Sequence, residues 1–311
     1  MSVCQPLVSY IILTRNRAKD LAENLTLLGR QNYRPSETIV VINGPDQETG
    51  ALLLRQFSWV RVILSQQNRG VAGGRNLGIQ AARGEILVFI DDDASFRDER
   101  ATERIVQYFK IKVALGVLAF SERSYFAPET FLHWGFPGRL PERDGANHFE
   151  TYYFAGAGHA IRARALKQTG LYPERYFYST EEKDLAYRML ECGYEIWYTP
   201  NVRVYHKVTP AGRNYDRDYL ELRNHYWFSM RLLPWPQAVA YALFWTGYEL
   251  IRTFPRVGLV TRSITEAMAV RKAVLLERKP VRGTTLAKMR TLRPWPGELV
   301  RRVRQLRRVL A

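Results

Sequence analysis

A short apolar run that ends in three consecutive aspartates places the strongest constraint on the fold of this chain. Residues 86–90 are rich in branched side chains and are followed directly by Asp91, Asp92 and Asp93, a pattern that predicts a buried strand. A strand of an α/β sheet that ends in carboxylates delivers them to the crevice where such sheets bind ligands. Because side chains alternate along an extended backbone, we expect Asp91 and Asp93 to share one face and Asp92 to point away.

Two carboxylates on one face suit a hard divalent cation such as Mg²⁺ or Mn²⁺, which keeps several waters and takes further ligands from the phosphates of a substrate. Asp91 and Asp93 are therefore candidate metal ligands. The alternative is an acidic turn between a strand and a helix, in which an aspartate caps the helix N-terminus.

Strand-like and helix-like segments alternate along the first part of the chain. The strand-like runs cover residues 8–13, 38–42, 60–64, 86–90 and 113–120. Between the first two runs, Leu21, Leu25 and Leu28 recur at i, i+4 and i+7, which is one face of a helix. The alternation predicts an α/β fold, with a mostly parallel sheet covered by helices on both faces.

Positive charge is concentrated in the last third of the chain. The net charge is +16, and the residues from 210 onward carry 20 Lys and Arg against 7 Asp and Glu, whereas the rest carries 26 against 23. We therefore divide the chain into a near-neutral domain, residues 1–210, and a basic helical region, residues 211–311. A basic region of this kind is expected to contact an anionic partner, either nucleic acid or phospholipid head groups.

The apolar pattern of the basic region favours an anionic membrane surface. Residues 238–248 are uncharged, but about 11 residues cannot cross a hydrocarbon core that needs roughly 20. Near the end, Leu299, Val303, Leu306 and Leu310 recur at helical spacing among arginines, which predicts an amphipathic helix in the membrane interface. The alternative is a helix packed on the domain with a solvated arginine face. Nucleic-acid binding is not expected, because no helix-turn-helix, zinc or RNP pattern occurs.

The cysteines and the N-terminus indicate the compartment. Cys4 and Cys192 are the only cysteines and lie far apart in the sequence, so no disulfide framework is expected. The first residues lack the basic region and the apolar core of a signal peptide. We expect a cytoplasmic protein that is peripheral on the inner face of the membrane.

A glycine-rich segment, residues 68–78, follows the third strand-like run. Its glycines allow backbone N–H groups to approach an anion closely, and Arg75 and Asn76 are suited to contact a phosphate or a base edge. The segment is neither a G-x-G-x-x-G fingerprint nor a P-loop. The alternative is that the glycines only permit close packing of a helix on the sheet.

A second acidic cluster opens a predicted helix. Ser179 or Thr180 suits the N-cap position, and Glu181, Glu182 and Asp184 lie in the first turn, where the helix dipole favours acids. The cluster is either an ordinary helix N-terminus or part of a catalytic site.

Two further features accompany this cluster. Residues 121–153 form a long connection that is rich in aromatic residues, among them Trp134, and such a loop either binds an acceptor or packs onto the domain. His206 follows the strand-like residues 202–205, a position where a lone histidine is usually structural.

Three segments in chain order resemble family 2 glycosyltransferases. They are Val-Ser-Tyr-Ile-Ile-Leu-Thr-Arg-Asn-Arg at 8–17, Asn-Arg-Gly-Val-Ala-Gly-Gly-Arg-Asn-Leu-Gly at 68–78 and Phe-Ile-Asp-Asp-Asp-Ala at 89–94, and the resemblance extends over residues 8–228. It implies the GT-A fold for residues 1–210, a Rossmann-like domain with a metal-binding Asp-x-Asp motif. Within the family, the chain is similar to the bacterial polysaccharide branch that includes rhamnosyltransferases.

The resemblance also implies an activity and its residues. The activity is an inverting transfer of a sugar from a nucleotide-diphosphate donor to a hydroxyl of a glycan or lipid-linked glycan, assisted by Mg²⁺ or Mn²⁺, in cell-surface polysaccharide synthesis. Glu182 matches the catalytic base, with Glu181 as the alternative and Asp184 as an orienting acid. His206 is implied as a further metal ligand. The implied acceptor residues are Trp134, Gly156 and Gly158.

The donor-binding residues implied by the resemblance are Thr14, Arg15, Asn16, Asn43, Arg75, Asn76, Asp91 and Asp92. Ile42 stands where the family often has an acid that contacts the nucleoside, and Asn43 or Asp46 could substitute for it. Two other classes of protein are compatible with the sequence: a catalytically silent glycan-binding module of the same fold, and a basic nucleic-acid-binding protein.

Overall fold

The computed structural model describes residues 5–136, 139–208, 217–253 and 257–292. Within these ranges the strands form one nine-stranded sheet. The strands are β1 Val8–Thr14, β2 Ser36–Asn43, β3 Arg61–Ser65, β4 Ile86–Ile90, β5 Ala94–Ser95, β6 Leu115–Ser124, β7 Phe149–Thr151, β8 Gly158–Arg162 and β9 Glu195–His206.

The sheet combines a parallel half with a mixed half. Its order is β3-β2-β1-β4-β8-β6-β9-β5, with β7 also paired to β9. The first four strands run parallel, as predicted. Beyond β4 the pairs β4–β8, β6–β8, β5–β9 and β7–β9 are antiparallel, and only β6–β9 is parallel in the described part of this half. The predicted α/β class is therefore confirmed, with a sheet that is parallel over β3-β2-β1-β4 and mixed beyond.

Helices cover both faces of the sheet and continue into a C-terminal bundle. They are α1 Ala18–Leu28, α2 Gln47–Gln56, α3 Gly70–Ala81, α4 Ala101–Ile111, α5 Pro141–Asp144, α6 Ala163–Thr169, α7 Glu181–Glu191, α8 Arg217–Leu232, α9 Trp235–Thr253, α10 Val257–Ala269, α11 Arg271–Leu276 and α12 Gly283–Thr291. Side chains of α1, α2 and α4 bury one face of the sheet, and side chains of α3, α6 and α7 bury the other. A third core lies among α8 to α11 and includes Trp227 and Phe228.

Two strand pairs bring distant residues next to the aspartates that follow β4. In β5, Ala94 pairs with His206 at the end of β9, so this histidine lies beside Asp93. In β8, Gly158 pairs with Ile90, and the Asp91 N–H donates to the Ala157 carbonyl at 3.2 Å. The sequence interpretation missed β8 and found only the last part of β9.

The basic region is helical where the structure describes it. Among the described helices, none combines the length and the apolar character that crossing a bilayer requires. The predicted amphipathic helix at residues 299–310 lies outside the described residues, as does the domain boundary near residue 210.

The glycine-rich segment forms most of α3 itself, and its glycines let the helix lie close to the sheet. A Cβ added at Gly74 would lie 2.2 Å from Leu13 Cδ1, and one added at Gly78 would lie 2.4 Å from Ile11 Cγ2. Both neighbours belong to β1. The packing alternative therefore explains these two glycines.

A glycine-to-alanine pair tests this packing. Gly78→Ala should lower the free energy of unfolding by about 1–3 kcal/mol, because overpacking against the buried, branched Ile11 exceeds the gain in helix propensity. Gly50→Ala is the control: Gly50 lies within α2, and an added Cβ meets nothing within 4 Å. It should raise stability by roughly 0.5–1 kcal/mol. Urea unfolding measures both, and equal effects of the two changes would contradict the packing role.

Candidate active site

Both acidic clusters line one cleft at the carboxyl ends of β1, β2 and β4. The cleft has a volume of about 850 Å³. Its walls include Thr14, Arg15, Arg17, Asn43, Arg75, Asp91, Asp92, Gly156, Glu181, Glu182 and His206. The predicted meeting of a strand end and a helix start is therefore present in the structure.

Asp91, Asp92 and Asp93 form a turn, in which the Ala94 N–H donates to the Asp91 carbonyl at 3.0 Å. The expected alternation of faces is wrong here because the backbone leaves the extended conformation. As a result Arg17 Nη1 contacts Asp92 Oδ1 at 2.8 Å and Asp93 Oδ2 at 3.1 Å. Thr14 Oγ1 donates to Asp92 Oδ2 at 2.8 Å. Burial raises the pKa of Asp92 to about 7, although Arg17 opposes the shift.

His206 joins the turn to a buried glutamate. Its Nε2 lies 3.1 Å from Asp93 Oδ1, and its Nδ1 lies 2.6 Å from Glu122 Oε1. The same Glu122 oxygen lies 2.8 Å from His133 Nδ1. Burial disfavours the charged imidazolium, but the hydrogen bonds to Asp93 and Glu122 outweigh it and raise the pKa of His206 to about 10. The histidine therefore offsets part of the negative charge at the turn.

The structure brings the three predicted metal ligands together. Potential ligand atoms of Asp91, Asp93 and His206 all lie within 4.8 Å of one another. Two carboxylates and an imidazole nitrogen form a donor set that Mn²⁺ and Mg²⁺ accept when water or phosphate oxygens complete the shell. The residues fit such an ion in both chemistry and spacing.

Arg75 connects this cluster to the start of α7. Its Nη1 lies 2.7 Å from Glu182 Oε1, its Nη2 lies 3.6 Å from Asp91 Oδ1, and Nη2 also donates to the Gly156 carbonyl at 3.0 Å. A Cβ at Gly156 would lie 2.2 Å from Glu182 Oε1 and 2.8 Å from Arg75 Nη2, so a side chain at this position would displace the Arg75–Glu182 pair. The predicted donor residue Arg75 is thus held by three groups of the site itself.

Glu181 and Glu182 differ in their surroundings. The Glu181 side chain is 3% exposed and that of Glu182 is 16% exposed. Glu181 Oε1 lies 3.7 Å from Arg75 Nη1, and Glu181 Oε2 has no hydrogen-bond partner among the described residues. Burial, and then the neighbouring Glu182, raise the pKa of Glu181 well above its usual range. Burial therefore disfavours the charged form of Glu181. Glu182 lines the cleft with a more exposed side chain and is the better candidate for a proton acceptor.

Asp184, which sequence analysis grouped with the catalytic residues as an orienting acid, lies outside the lining of the cleft. Its side chain is fully buried and accepts hydrogen bonds from Arg188 Nε at 2.7 Å, from the Tyr176 hydroxyl at 2.9 Å and from Arg231. These partners anchor α7 to α8, so the carboxylate orients the helix. Thr180 occupies the N-cap position, as predicted, but with a φ of +71° its side chain makes no capping hydrogen bond.

Three predicted donor residues have structural partners. Asn76 is buried and donates to the Tyr172 carbonyl at 2.9 Å, outside the lining of the cleft. Asn43 lines the cleft but donates to Asn68 Oδ1 and to the Gly70 carbonyl, both at 3.0 Å. Asn16 is exposed, and its N–H donates to Asp46 Oδ2 at 2.6 Å. That aspartate caps α2 through Thr49, so it is not free to replace the missing acid at Ile42. Thr14 and Arg15 line the cleft as predicted.

The three predicted acceptor residues do not lie together in the structure. Gly156 lies in the cleft, but Gly158 begins β8 below it. Trp134 packs edge-to-face against Phe136 and Tyr198, at centroid distances of 4.9 and 5.2 Å, and its Nε1 donates to the Arg139 carbonyl. Trp134 is therefore explained by packing of the loop on the domain, because the neighbouring rings occupy its faces and edge.

Sequence reasoning missed two parts of the site. Arg17 was not among the predicted donor or metal residues, although it binds two of the three aspartates. The other missed part is a wall of the cleft made by the C-terminal helices. Its residues include His225, Gln237, Tyr241, Phe244, Trp245, Leu286 and Met289, and Lys183 and Tyr187 of α7 line the same cleft. The uncharged run at residues 238–248 was the available signal, but it was assigned to a membrane surface alone.

A family model described as Glycosyl transferase family 2 matches residues 9–170, about half of the chain. An uncharacterized protein of Haemophilus influenzae is 30% identical over 173 residues, which are 54% of this chain and 93% of that protein. The O-antigen chain rhamnosyltransferase WbaN of Salmonella anatum is 24% identical over 192 residues, 58% of this chain and 60% of the relative.

Two solved structures share the fold. One is GalNAc-T7 with UDP, GalNAc and Mn²⁺, with a TM-score of 0.65, 13% identity, and coverage of 85% of this chain and 55% of that one. The other is the mannosyltransferase PcManGT from Pyrobaculum calidifontis in complex with GDP-Man and Mn²⁺, with a TM-score of 0.55, 17% identity, and coverage of 94% and 88%. At these identities the likeness establishes the fold alone, and the fold agrees with the predicted GT-A class.

The anchoring role of Asp184 can be tested by stability. Asp184→Asn should lower the free energy of unfolding by about 3 kcal/mol, because the fully buried carboxylate is the acid that pairs with Arg188, and its loss leaves Arg231 only the half-exposed Glu277. Glu103→Gln is the matched control, since Glu103 forms an i, i+3 pair with Arg100, whose side chain is 69% exposed. It should cost less than about 0.5 kcal/mol. Urea unfolding measures the free energy of unfolding of both variants. An Asp184→Asn variant of unchanged stability would refute the anchoring role.

Proposed function

Because this chain belongs to glycosyl transferase family 2, we propose that it is an inverting transferase that moves a sugar from a nucleotide-diphosphate donor to a hydroxyl group of a glycan or lipid-linked glycan. The observation that carries the proposal is the position of Arg75, which contacts Asp91 of the acidic turn and Glu182 of α7. A donor held at the turn and an acceptor beside α7 would therefore meet within one cleft.

Glu182 is the proposed general base. Its carboxylate would take the proton of the acceptor hydroxyl while the acceptor oxygen attacks the anomeric carbon and the bond from that carbon to the diphosphate oxygen breaks. Arg75 holds one carboxylate oxygen of Glu182 at 2.7 Å, and Glu182 lines the cleft. Glu181 is buried beside it, and burial disfavours the charged form that a nucleophile would need. One base without a paired nucleophile supports a single displacement with inversion, which the family resemblance also implies.

Asp91, Asp93 and His206 would hold the divalent metal ion, Mg²⁺ or Mn²⁺. When bound, the ion neutralises the charge that builds on the leaving diphosphate. Glu122 accepts the Nδ1 proton of His206 at 2.6 Å, which directs the Nε2 atom toward Asp93. The same orientation would serve a metal-ligating imidazole, because a metal ion at Nε2 would replace the proton that this atom directs to Asp93.

The turn after β1 is proposed to bind the nucleotide. Thr14 and Arg15 line the cleft next to the acidic turn, and Arg17 sets the positions of Asp92 and Asp93. Similarity to a rhamnosyltransferase of O-antigen synthesis supports a deoxysugar donor and a role in cell-surface polysaccharide synthesis.

The basic region, residues 211–311, is proposed to hold the enzyme at an anionic membrane surface on the cytoplasmic side. Its described parts, residues 217–253 and 257–292, carry 12 Lys and Arg against 5 Asp and Glu. Phosphatidyl head groups attract such a surplus by roughly 1 kcal/mol for each cation near the surface.

Paired variants distinguish the two glutamates. Glu182→Gln should reduce the release of free nucleotide from a donor by roughly 10²–10⁴-fold, because the amide cannot accept a proton. Donor binding should remain, since the amide oxygen can still accept from Arg75. Glu181→Gln is the control and should retain activity, because burial disfavours the charged form of Glu181 and an amide replaces the neutral carboxyl group at almost the same size. The measurement is nucleotide release from a panel of UDP-, GDP- and dTDP-sugars, with thermal shift for binding. The reverse pattern would assign the base to Glu181.

The metal site has its own test. With Mn²⁺ present, UDP, GDP or dTDP should raise the melting temperature of the natural protein, since binding to the native state adds stability. EDTA should abolish the increase, and Asp93→Asn should weaken it without abolishing folding. Electron paramagnetic resonance of Mn²⁺ measures metal binding directly. Undiminished Mn²⁺ binding by Asp93→Asn would exclude this aspartate as a ligand.

A further inference from the structure

Helix α9 exposes a long face that carries no charge. Its outward residues are Trp235, Pro236, Val239, Ala240, Leu243, Phe244, Leu250 and Ile251. Leu243 is 67% exposed and Val239 is 56% exposed. The opposite face, with Ala238 and Trp245, is buried in the C-terminal core. A contiguous apolar surface of this length marks a binding site more often than a solvated surface.

The exposed face continues into the cleft. Ala240 and Phe244 belong to the outward set and also line the cleft, next to Tyr241 of the same helix. From α12, Leu286 and Met289 line the same part of the cleft. An extended hydrocarbon chain can therefore follow α9 from the protein surface to the start of α7 without crossing a charged side chain of this helix.

The cationic side chain of Lys183 lies where the apolar surface of α9 meets the part of the cleft that contains Glu182. Lys183 follows Glu182 directly and lines the cleft. Its Nζ donates to the Tyr241 hydroxyl at 3.0 Å and lies 5.3 Å from the centroid of the Trp245 ring. Cation–π attraction to these rings stabilises the ammonium at this position on the wall of the cleft. Arg217 and Arg290 also line this end, together with the acid Glu221.

We infer that the acceptor is an amphiphile in which the sugar is carried by a lipid phosphate. Its hydrocarbon chain lies on the exposed face of α9 and between α9 and α12, its phosphate binds Lys183, and its sugar hydroxyl reaches Glu182. The inference rests on the proposed function for the identity of the base, but it makes a separate statement about which molecule binds. Of the two acceptors named in the proposed function, this inference favours the lipid-linked glycan over the free glycan.

Two other occupants explain less of the structure. A flat bilayer would cover Leu243 and Val239 but would not reach Lys183 inside the cleft. A second copy of the chain would bring another basic surface to this one, and like charges oppose such contact. A lipid phosphate accounts for the apolar face, its continuation into the cleft and the cation at its inner end.

Binding of farnesyl phosphate to the full-length protein, without donor, tests the inference. Titration followed by tryptophan fluorescence should give a dissociation constant at least roughly tenfold lower for farnesyl phosphate than for farnesol or inorganic phosphate, because each lacks one of the two contacts. Lys183→Gln and Leu243→Gln should each raise that constant by about tenfold. Leu54→Gln is the matched control, since Leu54 is 81% exposed on α2. It should leave the constant unchanged.

Other outcomes would overturn the inference. Equal binding of farnesyl phosphate by the natural protein, Lys183→Gln and Leu243→Gln would place the lipid elsewhere. If phosphatidylglycerol vesicles bind through Leu243 while farnesyl phosphate does not compete, α9 is a bilayer contact only. A concentration-dependent dimer that Leu243→Gln abolishes would show that the face binds a second copy. Because no donor is present, loss of nucleotide release in another assay would contradict the proposed function without affecting this result.

Discussion

The buried guanidinium of Arg75 is the group on which the whole site depends. Its side chain is 5% exposed, and burial of an unpaired cation of this kind would cost several kcal/mol. The carboxylates of Asp91 and Glu182 and the carbonyl of Gly156 offset that cost. The same cation separates carboxylates that would otherwise repel each other. The strand end and the helix start can therefore come together only around this arginine, and α3 must lie close enough to the sheet to deliver it.

The acidic turn also places like charges close together, and neighbouring protein groups balance them. Asp91, Asp92 and Asp93 are adjacent, and a metal ion is not their only counter-charge. Arg17 binds Asp92 and Asp93, and the pairing of β5 with β9 brings His206 to Asp93 as well. Arg75 approaches Asp91. Glu122 then fixes the ring of His206 from the other side. The turn is thus held in a defined geometry by protein groups, which is what preorganised binding of a metal and a diphosphate requires.

The sequence predicted the elements whose local pattern is strong. The β-branched runs became β1 to β4, and Asp91 and Glu182 could be proposed because a strand end and a helix start are recognisable from sequence. Partners far apart along the chain could not be read in this way. The antiparallel β8 is a short segment with little periodicity, and its buried His159 is uncharacteristic of a core strand. Whether an asparagine faces a ligand or a carbonyl depends on tertiary packing, so Asn76 was assigned to the donor although it binds the Tyr172 carbonyl.

The first turn of α7 shows why the charge boundary near residue 210 does not divide the site. Successive residues of a helix are rotated by about 100°, so four of them have different surroundings. Glu181 is buried beside Arg75, and Glu182 binds Arg75 and lines the cleft. Lys183 reaches Tyr241 on α9, and Asp184 binds Arg231 on α8. These two C-terminal helices therefore hold the first turn of α7, which carries the proposed base, and α9 forms part of the wall of its cleft. A basic region that the composition separates from the first domain thus lines the same cleft in the structure.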